Sequence, residues 1–478
     1  MGNLNNSIMI LDSSMKSTSI WPNVASALES RFNVSVLSRS VGSESISRED
    51  LYDKGLVDLP QSTDIDADEI LNAYDGIFSR VDLYGTMPFD LKQLYAHRYI
   101  TYWMQFIEAN SVELVISPVA PHRIFDFSLL IACRKLGVNY IAFQTTPFEK
   151  RLFIIDRFVG PGKFIFELDI PNGKLPEMVE KDIILRSGLY DTAIPNYEKR
   201  NISLSKNNNY LKKIVSLGRK SIDSNYRFWS SFKRTQNLIK GGHISSLDYV
   251  TYLVEKHKRL RRLKSVYNRL SILVDDSREY IYFPLHYQPE ETTCPSGGVF
   301  SNQLLVLDRL LRSTPETVLI YVKEHRSQFM KSANGDLART TDFYECLIEN
   351  PRVRLVDMSI DQFGLVDNAQ MVATVTGTVG YEAYCRGVKT VLFGRTWLEG
   401  LTNVHSYKDL CGLRAFYFGD ALQLDLNDKV KEICNIMKYS FSAIHDENYE
   451  SIYGVPGIKD EQSLVEAISN YIEANYGL

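Results

Sequence analysis

Short runs of consecutive apolar residues alternate with amphipathic stretches of helical period through most of this sequence. The run from Ile8 to Leu11 is followed by an amphipathic stretch from Trp21 to Phe32 and then by Val34 to Leu37, which reads as strand, helix, strand. A periodic stretch from Leu91 to Ala109 leads into Val112 to Ile116, and Ile124 to Leu136, closed by Gly137, precedes Tyr140 to Phe143. Helices placed between short apolar strands are crossover connections, so the pattern predicts a parallel sheet wrapped by helices.

The pattern returns later. Strands are expected at Tyr280 to Leu285, Val318 to Lys323, Val353 to Val356, Met371 to Val375 and Thr390 to Phe393. Helices are expected at Ser301 to Leu311, Thr341 to Glu349, Gln362 to Ala369 and Gly380 to Arg386. This predicts a second doubly wound domain of about five strands. From Asn172 to Leu270 the sequence turns polar and helical, broken at Asn207, Asn208, Asn209, Gly241 and Gly242. A chain of 478 residues exceeds one ordinary core. The expected division is 1–171, a Rossmann-like domain; 172–275, a helical, basic insertion or linker; 276–450, a second Rossmann-like domain; and 451–478, a helix packing back on the first domain.

A net charge of -4 and a pI near 6.1 argue against a general nucleic-acid binder. Between Leu211 and Leu270, however, about fifteen Lys or Arg face three acids, with a cluster at Lys256, Lys258, Arg259, Arg261, Arg262 and Lys264. Phe228, Trp229, Phe232 and Tyr267 interleave with these cations, which makes the stretch either a solvated helical surface or one that meets anionic lipid or glycan. Cys133, Cys294, Cys346, Cys385, Cys411 and Cys434 are scattered without a Cys-x-x-Cys pair, so neither a disulfide framework nor a zinc site is expected. There is no long apolar run after a basic start and no stretch of membrane-spanning length, and Asn6 occupies the position where a myristoylation signal needs Ser or Thr. The expected location is cytoplasmic, with peripheral contact at the inner membrane.

In open α/β sheets ligands bind beyond the carboxyl ends of the strands. In the second domain those positions are polar: His286, Tyr287, Gln288, Pro289, Glu290, Glu291, Thr292 and Thr293; then Lys323, Glu324, His325 and Arg326; then Thr376, Gly377, Thr378, Val379, Gly380, Tyr381 and Glu382. The small residues from Thr376 to Gly380 directly precede a helix, where backbone N–H groups can hold a phosphate. Lys323, His325 and Arg326 supply donors and cations for a leaving phosphate without a metal. Glu290 offers a carboxylate to act at a sugar carbon.

Three of these segments carry a resemblance: Tyr282 to Thr293, Tyr321 to His325, and Val375 to Ala383. Together, and in this order, they resemble the bacterial capsule polysaccharide synthesis family, which includes retaining β-Kdo transferases and relatives thought to transfer other ulosonic acids. The resemblance covers Tyr280 to Arg395 and is loose in the first half of the chain. It implies an α/β, GT-B-like scaffold of two Rossmann-like domains and a CMP-activated acidic sugar as co-substrate, with no cofactor and no metal. His325 and Lys323 would then contact the donor phosphate, cradled by Thr376, Gly377, Thr378 and Gly380. Glu382 would approach the ribose or fix the loop, and Gln288 and Glu290 would face the sugar, with Glu290 the nucleophile of a retaining reaction. The family usually has Pro after the His; Arg326 stands there instead and would meet the donor's carboxylate. His122, Arg123, Asp126, Thr145 and Arg151, near strand ends of the first domain, are candidates for binding a glycan or glycolipid acceptor. A phosphate cradle does not identify the base, so a UDP-sugar or CDP-polyol donor stays open, as does a non-catalytic glycan-assembly subunit.

Overall fold

The computed structural model describes residues 7–12, 20–38, 74, 76–78, 88–156, 158, 175–189, 246–275, 277–289, 293–330, 334–444 and 461–476. Strands β1 (Ser7–Asp12), β2 (Asn33–Ser38), β3 (Val112–Ser117) and β4 (Asn139–Thr145) run parallel in the order β2-β1-β3-β4, with β5 (Arg151–Ile155) antiparallel beside β4. Helices α1 (Trp21–Leu28), α2 (Phe89–Ala109) and α3 (Ile124–Leu136) lie between them in sequence. Because strand side chains alternate, Ile8 and Ile10 pack on one face with Trp21, Val24 and Leu28 of α1. Met9 and Leu11 pack on the other face with Trp103 of α2 and Leu130 of α3.

Helix α4 (Leu175–Arg186) and helix α5 (Ser246–Leu270) are the described parts of the range expected to be an insertion. The second sheet has β6 (Tyr280–Pro284), β7 (Leu319–Lys323), β8 (Val353–Leu355), β9 (Met371–Thr374), β10 (Thr390–Leu392) and β11 (Val404–Ser406), all parallel, in the order β11-β10-β9-β6-β7-β8. Helices α6 (Gln303–Ser313), α7 (Thr341–Leu347), α8 (Gln362–Asp367), α9 (Val379–Cys385), α10 (Leu410–Phe418) and α11 (Leu426–Met437) complete it. One face of the sheet packs on α5, α6 and α7 through Leu263, Tyr267, Val306, Leu310 and Tyr344. The other packs on α8 and α9 through Leu365, Val366, Val379 and Ala383.

Three expectations are corrected. Among the described residues the second sheet has six strands rather than about five, because Val404–Ser406, too short to announce itself as an apolar run, pairs with β10. Strand β12 (Ser440–Ser442), inside the range 276–450, joins the first sheet antiparallel to β5, and Phe441 is buried in that sheet's core. Tyr267 does not interleave with the cations at the surface: it is fully buried and donates to Val356 O. Leu263 and Tyr267 of α5, four residues apart on one helix face, lie in the second sheet's core. Phe228, Trp229 and Phe232 lie outside the described residues.

After β12, helix α12 (Glu461–Tyr476) covers the first sheet beside α1, burying Leu464, Ile468 and Ile472. Truncating Ile468 to Ala would cost about 2–5 kcal/mol, the usual loss for a fully buried aliphatic side chain. Phe148, just past the carboxyl end of β4, packs edge-on against Tyr381 of α9 at 6.2 Å and Trp397 beyond β10 at 6.1 Å. The carboxyl edges of two doubly wound sheets therefore face one another, and the chain's last helix returns to the first, which is an α/β, GT-B-like architecture.

Candidate functional site

The second sheet reverses its strand order between β6 and β9, so its ligand crevice is expected beyond the carboxyl ends of these two strands. His286, two residues past β6, bridges them. Val375 N–H donates to its Nε2 at 3.1 Å, and Thr374 Oγ1 lies 3.1 Å from the same nitrogen. Thr374 Oγ1 in turn accepts from Gly377 N at 3.0 Å, folding the turn back on the end of β9. A Cβ on Gly377 would stand 2.8 Å from Thr374 Oγ1 and 2.9 Å from His286 Cε1, so the close approach admits only glycine without a shift.

Two buried glutamines hold the segment after β6. Gln303 accepts from His286 N at 2.9 Å and donates to His286 O at 3.2 Å. Gln328 accepts from Gln288 N at 2.9 Å and donates to Gln288 O at 2.8 Å and to Gly335 O at 2.7 Å. With its backbone satisfied by side chains, the segment needs no neighbouring strand to stay extended over the crevice.

His325 lies past β7, its ring 6.3 Å from that of Tyr287. Its Nδ1 accepts from Ser327 N at 3.2 Å, capping a short 3-10 turn over Arg326–Phe329. That contact leaves the proton of a neutral ring on Nε2. Beneath the loop, Glu324 is buried against Arg339 at 3.0 Å; it also accepts from Tyr344 OH and from His325 N, both at 2.8 Å. Arg339 donates to His286 O at 3.1 Å, so one buried ion pair ties the loops after β6 and β7 together.

The loops carrying Gln288, His325 and Thr376–Gly377 are thus connected through His286, Tyr287 and Gln328. Among the described residues, Gln288 Nε2 and Thr376 Oγ1 are buried with no hydrogen-bond partner. An orphaned buried donor costs about 1–3 kcal/mol, which a ligand that hydrogen-bonds to it would offset. Thr378, exposed, stands at the N-terminus of α9 without using its side chain as a cap. Gly380 packs within the first turn, where an added Cβ would meet Leu398 and Thr374.

Other candidates have different tasks. Lys323 is buried on the α8 side of β7 and donates to Ile360 O; burial, assisted by Arg326 and opposed by Asp361 and Asp357, pulls its pKa down to about 8. Arg326 is therefore a half-buried electrostatic neighbour of Lys323. Glu382 is buried, accepts from Gln362 Nε2 at 2.9 Å and lies 3.8 Å from Arg186 of α4, so its carboxylate fixes α9 to its neighbours. Glu290 lies outside the described residues.

In the first sheet, Asp126 accepts from His122 N and Arg123 N at 3.0 and 2.6 Å and so caps α3, with burial pushing its pKa up. His122 Nδ1 is 2.8 Å from Ala120 O, and the ring is buried. Arg151 is also buried: it donates to Ser440 O at 3.2 Å, tying β12 to β5 rather than presenting a charge to solvent. Thr145, half-buried at the end of β4, and Arg123, with Nη1 buried and unpartnered among the described residues, stay at the edge that faces the second sheet. Sequence reasoning passed over Gln303, Gln328 and Arg339; the only signal for His286 was its place as the first residue of the polar run after β6. Among the described residues no cluster of His, Cys, Asp or Glu is arranged to hold a metal ion.

No protein-family model matches the sequence, and no curated protein matches it. Among solved structures, the chain is similar over 98% of its length to 99% of Thermosulfurimonas dismutans KpsC, beta Kdo 2,7 transferase, at 8% identity and a TM-score of 0.32. It is similar over 91% of its length to 99% of UDP-GlcNAc 2-epimerase from Methanocaldococcus jannaschii, at 11% identity and 0.25. A third similarity, over 98% of its length, is to 88% of the wall teichoic acid polymerase TagF, at 9% identity and 0.22. Likenesses this weak assign no chemistry to the chain.

Proposed function

We propose that this chain is a metal-independent glycosyltransferase that takes Kdo or a related ulosonic acid, such as pseudaminic acid, from a CMP donor to a bacterial capsule or lipopolysaccharide glycan. The observation that carries the reading is the pair of buried donors without partners among the described residues, Gln288 Nε2 and Thr376 Oγ1, on loops joined at the strand-order reversal. The motif resemblance supports the choice of donor.

In this reading the N–H groups of Thr376 and Thr378 and Nε2–H of His325 receive the CMP phosphate as the bond from the anomeric carbon to phosphate oxygen breaks and its electron pair leaves with CMP. The Gln288 amide orients the sugar. Glu290 attacks the anomeric carbon, and an acceptor hydroxyl, passing its proton to the released CMP phosphate, then displaces the carboxylate, which retains configuration. The acceptor enters from the edge of the first sheet, past Arg123 and Thr145. The enzyme acts on the cytoplasmic side.

Each nucleotide added in a thermal-shift assay tests the donor: CMP or CDP should raise the melting temperature, and a rise with UDP or GDP alone rejects the assignment. Product mass and anomeric configuration from CMP-ulosonates and short glycans test the reaction. Glu290→Gln should abolish transfer and preserve CMP binding, whereas His325→Ala should weaken both; wild-type turnover in Glu290→Gln removes the carboxylate from the mechanism.

A further inference from the structure

Helix α5 has two unlike faces. Leu260, Leu263 and Tyr267 enter the core, while Lys256 and Arg259 reach sideways to Asn334 at 2.8 Å and Asp336 at 2.7 Å. Opposite them, Val254, Lys258, Arg261, Arg262 and Arg269 recur at helical spacing and are exposed, forming a stripe roughly 22 Å long. Lys264 is exposed beside it. Glu255 pairs with Lys258 at 2.7 Å and Glu345 lies 3.6 Å from Arg269; among the described residues no ion pair engages Arg261, Arg262 or Lys264.

Apolar side chains bound this ridge at both ends. Val254 is 48% exposed at one, and just beyond the helix Ile272 and Leu273 are 41% and 71% exposed. Cations flanked by exposed aliphatic side chains match a bilayer surface, where the charges meet anionic headgroups and the aliphatic groups enter the acyl boundary. A soluble polyanion would use the charges and leave Leu273 idle. We propose that the outer face of α5 docks on a bilayer surface rich in anionic phospholipid.

The inner face of the same helix supports the candidate site. Tyr267 OH accepts from Glu324 N at 3.2 Å, and Asn334, held by Lys256, donates its N–H to Tyr287 OH at 2.8 Å. Docking therefore sets the crevice close to the membrane, where a lipid-linked glycan would present its growing end. That consequence rests on the transferase reading; the docking itself does not.

The test is co-sedimentation of the full chain with phosphatidylcholine vesicles with and without phosphatidylglycerol, at low and high salt. Wild type should sediment selectively with the anionic vesicles and be released by salt. Each cation removed should cost roughly five-fold in partition, so Arg261→Glu with Arg262→Glu should lose at least about 25-fold, while the same charge reversal at exposed Lys181 on α4 should not. Leu273→Ser should weaken vesicle binding and leave heparin binding unchanged, and thermal melts should confirm that these surface variants fold. Equal sedimentation with both vesicle types, wild-type binding by the double reversal, or an inert Leu273→Ser overturns the proposal, the last pointing to a soluble polyanion. Because the assay reads binding without donor or acceptor, failure of the docking and failure of the transferase reading are separable.

Discussion

Replacing Arg339 by Met tests whether the crevice is held from below. The Arg339–Glu324 pair is 3.0 Å long with side chains 5% and 0% exposed, so the substitution leaves a carboxylate buried beside Tyr344 OH and His325 N–H with no cation. Removing one partner of such a pair costs about 3–5 kcal/mol, because the remaining charge has lost both water and its counter-charge. Met fills much of the same volume, so little of that cost is cavity. Adding Glu324→Gln removes the stranded charge but keeps an oxygen for His325 N–H, and the double variant should recover about 0.5–3 kcal/mol. Urea unfolding of the two single variants and the double closes the cycle. Nucleotide affinity should fall in Arg339→Met as well, because the backbone at His286 and His325 loses its anchor. A loss under about 1 kcal/mol for Arg339→Met, or strict additivity in the double variant, refutes the reasoning.

Thr376→Val replaces an unpartnered buried hydroxyl with an isosteric methyl, so the protein without nucleotide should gain about 1 kcal/mol while its thermal shift with CMP shrinks; a destabilised variant contradicts this. Lys323→Met should alter the pH dependence of stability. With the folded pKa near 8 against an ordinary value of 10.5, the unfolded chain binds a proton between these limits that the folded protein does not, so wild-type stability gains from rising pH across that window. Midpoints of urea unfolding for the two proteins should diverge in favour of wild type as pH climbs from about 8 towards 10.5, and parallel profiles would contradict the shift.

The parallel strands and their crossover helices were legible because each is an apolar or amphipathic run whose period survives in isolation. Strand β5 contains Leu152, Phe153, Ile154 and Ile155, a run as plain as the others, yet Arg151 at its head was read as a ligand-facing charge. Its burial is decided by β12, which arrives from nearly 290 residues away, and a three-residue strand carries no periodic signal of its own. The same limit applies to the site. Residue types after β6, β7 and β9 could be read off as chemistry, because a doubly wound sheet gathers its strand ends on one edge. Their partners could not: Glu382 and Lys323 are engaged by Gln362 and Ile360, which fold against them from other loops. Asp126 was open to recognition as an N3 acid capping the helix that follows Arg123, since that signal is local.

The central claim is that the crevice between β6 and β9 receives the phosphate of a cytidine nucleotide. A crystal structure of the CMP complex measures this directly. Phosphate oxygens within hydrogen-bonding distance of the Thr376–Thr378 backbone and Thr376 Oγ1, with His325 Nε2 turned towards them, are the predicted result. CMP bound at the first sheet, or at the second with Thr376 Oγ1 and Gln288 Nε2 still unpartnered, would contradict it.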